Sequence, residues 1–244
     1  MSITNIEWAD KVWNPTTGCT KVSDGCKNCY AERMAKRLKG MGLPKYDLGF
    51  DVQTHKNELD KPRHWKKGCR VFVDSMGDLF HPEVPDYFIR LVFQVMNECP
   101  QHTFMVLTKY AGRMDVECNN TYDQVTLTPN IWMGVSVEDH THFDRINLLP
   151  RKAAIRFVSF EPLLGPVGHR IGSVQFRELG WVIAGGESGP GYRPVRVQWL
   201  REIRDACVHY SVPFFFKGWG GNYSNTHGRF LDGRTWDYTP NEPF

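Results

Sequence analysis

Three cysteines, Cys19, Cys26 and Cys29, crowd into the stretch "TTGCTKVSDGCKNCYAERMAKRL", Thr16 to Leu38. Thiolates are soft ligands, and three on one polar loop can share a metal or a cluster. The spacing C-x6-C-x2-C puts Cys26 and Cys29 in a tight turn and brings Cys19 in from a longer loop. Gly18 and Gly25 each precede a cysteine and permit bends there. Three occupants fit this pattern. A [4Fe–4S] cluster normally takes four cysteines, so three leave one iron for a substrate or cofactor. A structural zinc needs four protein ligands, the fourth coming from His55, His64 or Cys69, none at a diagnostic spacing. A redox dithiol, or no metal, is the third reading. The basic segment "YAERMAKRL" reads as a helix whose N-terminus, like a metal, lowers thiol pKa values.

The remaining composition sets the context. The chain has 244 residues, a formal net charge of +3 and seven cysteines. An odd, unevenly clustered set of thiols fits a metal or redox site in a reducing compartment better than a disulfide framework. Cys69, Cys99, Cys118 and Cys207 stand alone and read as ordinary buried thiols. The start "MSITNIEWADK" has no apolar signal region, and runs such as "VPFFFK" are too short to span a bilayer. The reading is cytoplasmic. The mild positive charge permits a nucleic-acid partner without requiring one.

The elements that must position the thiols follow a repeating design of apolar run, polar loop and helical stretch. Strands are expected at Arg70–Val73, Thr103–Leu107, Ile131–Val137, Ile155–Phe160, Trp181–Ala184 and in "VPFFFK", with a short one around Lys11–Trp13. Helical spacing marks Phe88 to Met96 and "RVQWLREIRDACVHY". Strands that alternate with helices lie parallel, and their continuous apolar character fits burial on both faces. The expected fold class is α/β, a partial or complete (β/α) barrel of parallel strands, with a doubly wound open sheet as runner-up. One domain is expected over residues 1–244, its tail 218–244 packed on it as irregular structure.

Functional groups in such folds gather at the C-terminal ends of strands. Those ends carry Asp74, Ser75 and Asp78, then Thr108 and Lys109, Ser136 and Glu138, Ser159 and Glu161, Gly185 to Ser188, and Lys217. They are expected to line one polar mouth; ordinary loop polars and helix caps are the bland alternative. "FEPLLGP" and "AGGESGPGYRP" are the sharpest stretches, and the second lacks the Gly-Lys-Ser/Thr of a P-loop. Lys109 and Lys217 could take an anion. Basic residues Arg33, Lys36, Arg37 and Lys39 share a helix face, and "KPRHWKKGCR" adds Lys66 and Lys67 around Trp65. Such groups contact phosphates while an aromatic stacks on a base.

A cysteine triad after the first strand of a (β/α) barrel resembles the radical S-adenosylmethionine superfamily. More closely, the chain is similar to a bacterial and phage-encoded three-cysteine-motif family of unknown function, itself radical-SAM-like. The resemblance rests on "WNPTTGCTKVSDGCKNCYA", "DLFHPEVPD", "VLTKYAGRM", "WMGVSVED", "RFVSFEPLLGP", "WVIAGGESGPGYRP" and "PFFFKGWG". It departs from the superfamily in the first cysteine gap, six residues rather than three, and in a late "GGE" at Gly185–Glu187. It implies a [4Fe–4S] cluster on Cys19, Cys26 and Cys29, S-adenosylmethionine as cofactor, and an external electron donor. Asp74, Ser75, Lys109, Ser136, Glu161 and Glu187 are the candidate cofactor pocket. Glu161 and Glu187 suit an ammonium; Lys109, Ser75 and Ser136 suit a carboxylate. The substrate class expected by analogy is nucleic acid or nucleotide. The alternative is a non-catalytic module, stabilised by a cluster or zinc, that binds nucleic acid or protein.

Overall fold

Short runs of Val, Ile, Phe and Trp become strands because both their faces are covered by apolar neighbours. The computed structural model describes residues 6–119, 125–171, 173–223 and 226–241. The strands are β1 (Lys11–Trp13), β2 (Thr16–Thr17), β3 (Gln53–Thr54), β4 (Arg70–Val73), β5 (Thr103–Thr108), β6 (Ile131–Ser136), β7 (Ile155–Phe160), β8 (Trp181–Gly185) and β9 (Phe214–Gly218). The helices are α1 (Tyr30–Gly40), α2 (Asp86–Glu98), α3 (Ala111–Asn119), α4 (Val174–Arg177) and α5 (Val197–His209). Seven strands form one sheet in the order β1-β4-β5-β6-β7-β8-β9, and β2 with β3 forms a separate antiparallel pair. The order rises without the reversal that a doubly wound sheet requires. Every residue of β6 and of β8 is buried, as expected of strands covered on both faces.

The chain divides into two compact units. The first comprises Met1–Thr20, Cys29–Gly134 and Leu148–Ala154. Here β1, β4 and β5 pair in parallel, Trp13 opposite Val73 and Val73 opposite Val106. The apolar face of α2 buries Phe88, Ile89, Val92, Phe93, Val95 and Met96. α1 buries only Ala31 and Ala35, which pack with Tyr46 and Met76, while Cys29, Met34, Leu38 and Phe50 close the edge of that cluster. The β2–β3 pair was not foreseen: two threonines and a Gln-Thr dipeptide carry no apolar alternation.

The second unit comprises Lys21–Asn28, Val135–Asn147 and Ile155–Phe244. Here β7, β8 and β9 pair in parallel, and α5 buries Leu200, Ile203 and Cys207. The helix expected between β6 and β7 is a run of 3-10 turns, His140–Leu148. The described part of the tail forms no helix or strand of its own, only turns and isolated bridges. It adds to the open backbone edge of β9, where Phe216 N donates to Trp236 O at 2.8 Å and Tyr238 N to Phe214 O at 3.2 Å. An unpaired edge offers such groups to any extended segment. Tail residues 224–225 and 242–244 lie outside the described residues. Trp236 sits under the guanidinium groups of Arg234 at 3.8 Å and Arg204 at 5.2 Å. Asp232 accepts from Arg201 at 2.5 Å and from Arg204 at 2.6 Å.

Hydrogen bonds from Arg201 and Arg204 hold the Asp232 carboxyl down to about 2, below its ordinary 3.8. The stabilisation is therefore present above about pH 4 and is lost as the pH falls through about 2. The Asp232→Asn variant keeps a residue that tolerates the left-handed backbone at φ 53. It should melt below the wild type at neutral pH, with the gap narrowing as the pH is lowered toward about 2. Thermal unfolding across that range is the measurement.

Candidate functional site

In the first unit the segment leading to Cys19 is pinned from both sides. Asn14 Oδ1 accepts from Ser75 Oγ at 3.1 Å and Met76 N at 3.2 Å. Thr16 N donates to Asp74 Oδ1 at 2.9 Å, and Gly18 N to Met76 O at 2.9 Å. Cys19 N donates to Phe50 O at 3.2 Å. Gly18 has φ +86°, and a Cβ there would lie 2.1 Å from the Asp51 carbonyl oxygen. Only glycine permits that approach. Gly25, by contrast, sits in a 3-10 turn, Asp24–Cys26, and is not among the glycines of positive φ.

Asp74, directly after β4, is the most unusual of the expected site residues. It is buried, has φ 56°, and its Oδ2 has no hydrogen-bond partner. Burial pushes its carboxyl up to about 8, and the nearby Asp78 adds to the rise against the bonds from Thr16. Asp78 is also buried but fully engaged. Its Oδ1 accepts from Thr108 Oγ1 at 2.6 Å and Phe80 N at 3.0 Å, and its Oδ2 from Lys109 N at 3.0 Å. Sequence reasoning missed the neighbours of Cys19. Thr20 Oγ1 lies 2.9 Å from His81 Nε2 and 2.8 Å from the Tyr110 hydroxyl. Glu83 N donates to His81 Nδ1 at 3.1 Å, so His81 Nε2 carries the proton and donates to Thr20. Burial, aided by the charge of Cys19, pushes the Tyr110 phenol up to about 12. His81 and Tyr110 both lie inside the quoted stretches "DLFHPEVPD" and "VLTKYAGRM".

In the second unit two buried glutamates hold the loop that carries Cys26. Glu138 Oε1 accepts from Ser23 Oγ at 2.6 Å, and its Oε2 accepts from Arg145 at 2.8 Å. Ser23 Oγ is also 3.6 Å from Cys26 Sγ. Glu187 Oε2 accepts from Asn28 Nδ2 at 3.0 Å and from Arg193 N at 2.9 Å and Nε at 3.0 Å. Its Oε1 takes a further bond from Arg193 at 2.5 Å, and Arg193 reaches Asp24 O at 2.8 Å. Burial alone would raise the Glu187 carboxyl, but the bonds from Arg193 and Asn28 outweigh it and hold it below the usual range. Neither Arg193 nor Asn28 was expected. Glu161 is arranged differently: Oε1 pairs with Lys217 Nζ at 2.8 Å and Oε2 accepts from Ser159 Oγ at 3.1 Å. A Cβ on Gly185 would lie 2.9 Å from Glu161 Oε1, so that glycine keeps the carboxylate's place open. The Ser136 carbonyl accepts from Arg145 at 2.7 Å.

All seven cysteines are thiols; Cys19, Cys26, Cys29 and Cys69 are part-exposed, and Cys99, Cys118 and Cys207 are buried. Among the described residues no group of three or more His, Cys, Asp or Glu side chains is placed to hold a metal ion. The basic residues separate into two sets. Lys36 pairs with Glu32 at 2.7 Å, Arg63 with Glu98 at 2.5 Å, and Arg70 with Asp10 at 3.4 Å. Arg37, Lys39, Lys66 and Lys67 are exposed and, among the described residues, make no ion pair. No described helix is long and apolar enough to cross a membrane.

Fold and site together define a mixed α/β protein with a seven-stranded sheet, polar strand ends and a thiol-bearing loop. The chain belongs to the family described as "Protein of unknown function (DUF5131)", whose model matches residues 3–240. No curated protein and no solved structure matches it.

Asp74 supplies a direct check of this geometry. Its stabilising, protonated form is fully present below about 3.8 and is lost as the pH rises through about 8. Asp74→Asn keeps an oxygen for the Thr16 amide and removes the titration. Chemical denaturation should show the wild type losing on the order of a few kcal/mol relative to the variant between about pH 5 and 9. Parallel profiles would show that Asp74 is ionised in the folded protein throughout.

Proposed function

We propose that this chain is an iron–sulfur protein with radical-SAM-like chemistry, Cys19, Cys26 and Cys29 supplying thiolates to a [4Fe–4S] cluster. The supporting observation is the contrast among the thiols. The three loop cysteines are part-exposed and lie within eleven residues of one another, Cys69 is part-exposed but stands apart in sequence, and Cys99, Cys118 and Cys207 are buried. By donor chemistry three accessible thiols suit a cluster of this kind. Among the described residues no group of three such side chains is placed to hold a metal ion, so the reading has the thiols ordered together with binding, as metal-coupled folding allows. When bound, such a cluster supplies single electrons and one iron free of protein thiolate.

The chain's own residues would bind and orient the cofactor. The Glu161–Lys217 pair is part-exposed, with side chains 15% and 38% accessible. Its two charges match the ammonium and carboxylate of a zwitterion such as the methionine moiety of S-adenosylmethionine. Glu187 and Glu138 serve in this reading as anchors of the cysteine loop, because their oxygens are already engaged. Nucleic acid is the proposed substrate class, supported by exposed Arg37, Lys39, Lys66 and Lys67, which make no ion pair among the described residues. Turnover separates this reading from that of a non-catalytic module: cleavage of S-adenosylmethionine by the reduced, anaerobic protein is expected here and excluded there.

Protein purified without oxygen should contain ~4 iron and ~4 sulfide per chain. Replacing Cys19, Cys26 or Cys29 singly by Ala should abolish them, and Cys99→Ala should not. Stoichiometric zinc without iron would overturn the proposal.

Glu161→Gln or Lys217→Met should leave the iron content intact and weaken S-adenosylmethionine binding by about ten- to a hundredfold, the effect of one lost charged hydrogen bond. Calorimetric titration of the anaerobic protein measures this. Unchanged affinity in both variants would remove the pair from the site.

A further inference from the structure

The N-terminal ends of β4 and β5 carry a thiol–imidazole pair that the reading above does not use. Cys69 precedes β4 and His102 precedes β5. Cys69 Sγ lies 3.4 Å from His102 Nδ1, and His102 Nε2 lies 3.1 Å from the Pro62 carbonyl oxygen. A carbonyl can only accept, so Nε2 carries the proton and Nδ1 is left to accept the Cys69 S–H. Gln101 Nε2 lies 3.4 Å from His102 Nε2, but two N–H donors cannot bond each other, so the shorter contact to the Pro62 carbonyl sets the tautomer.

The pair is built in rather than incidental. A Cβ on Gly68 would lie 2.7 Å from the Gln101 carbonyl oxygen, so glycine lets the two strand ends meet. Thr103 N donates to Cys69 O at 3.0 Å. His102 is buried, with Trp65 packed edge-on at 5.4 Å and Phe104 at 6.0 Å. Cys69 remains part-exposed, unlike the buried Cys99, Cys118 and Cys207. Burial raises the thiol and lowers the imidazole, so both are uncharged near neutrality. The charged groups facing them are Lys11, which lowers both, and Asp10, which raises the thiol. A nucleophile, a base and a group that orients the base are the three parts of an activated thiol.

We propose that Cys69 is an oxidation site for peroxides, with His102 as its base. Cys69 Sγ attacks one oxygen of hydrogen peroxide; the S–O bond forms as the O–O bond breaks. The sulfur loses two electrons to the peroxide. The thiol proton passes through His102 to the departing hydroxide, leaving a sulfenic acid at Cys69 and water. The three buried cysteines have no comparable access.

The test treats the full chain, with whatever metal it carries, with hydrogen peroxide and a sulfenic-acid trap such as dimedone. Residue-resolved mass spectrometry then reads each cysteine. Trapping at Cys69 should exceed that at Cys99, Cys118 and Cys207 at least tenfold. The Cys69 rate should be flat between about pH 7 and 8.5, because the neutral pair is the reacting form; a lone thiolate would gain about tenfold per unit. His102→Gln, if folded by circular dichroism, should slow trapping about tenfold or more. Absence of trapping at Cys69, a tenfold rise per pH unit in the wild type, or an unchanged rate in folded His102→Gln would each overturn the proposal.

Discussion

A carboxylate that leaves water needs donors or must take up a proton, and three strand-end carboxylates answer this need by gripping the segment that carries the cysteines. Asp74 receives the Thr16 amide, Glu138 the Ser23 hydroxyl, and Glu187 the Asn28 side chain. Each bond joins a sheet end to the mostly polar stretch from Asn14 to Asn28, which has little apolar surface to bury. Hydrophobic packing cannot hold such a loop; charge-assisted hydrogen bonds can. The sheet itself imposes the arrangement. Its strands are apolar on both faces, so polar side chains find room only where the strands end.

The same residue type meets opposite fates in these places. Glu187 is buried but bonded twice and more by Arg193 and again by Asn28, so it stays charged. Asp74 is buried with one amide donor and a bare Oδ2, beside a second carboxyl, so its charge is disfavoured. Fewer donors and a deeper position together separate Asp74 from Glu187. Glu161 stands between the two. Its partner Lys217 is part-exposed, and a zwitterion can exchange for that contact without leaving a buried charge behind.

Much of the fold was legible because β-branched and aromatic runs bounded by polar turns leave few alternatives. Ile155–Phe160 and Arg70–Val73 fall where expected, and even the three-residue Lys11–Trp13 strand is present. The strand-end polars were legible as a group. Their partners were not. Asn28, Ser23 and Arg193 are ordinary loop residues in one dimension, and bonds between residues 159 positions apart, such as Asn28 to Glu187, leave no local pattern. The tail's addition to β9 escaped for the same reason: "TWDYT" has strand character, but nothing in it names an edge. Gly18 was legible as a bend, whereas the carbonyl it clears is set by the fold.

Mössbauer spectroscopy of the anaerobic, iron-57-enriched protein tests the cluster assignment most directly. The expected spectrum is that of a [4Fe–4S] cluster in which one iron changes its signal when S-adenosylmethionine is added. A spectrum of isolated mononuclear iron, or iron retained after Cys19, Cys26 and Cys29 are all replaced, would contradict it.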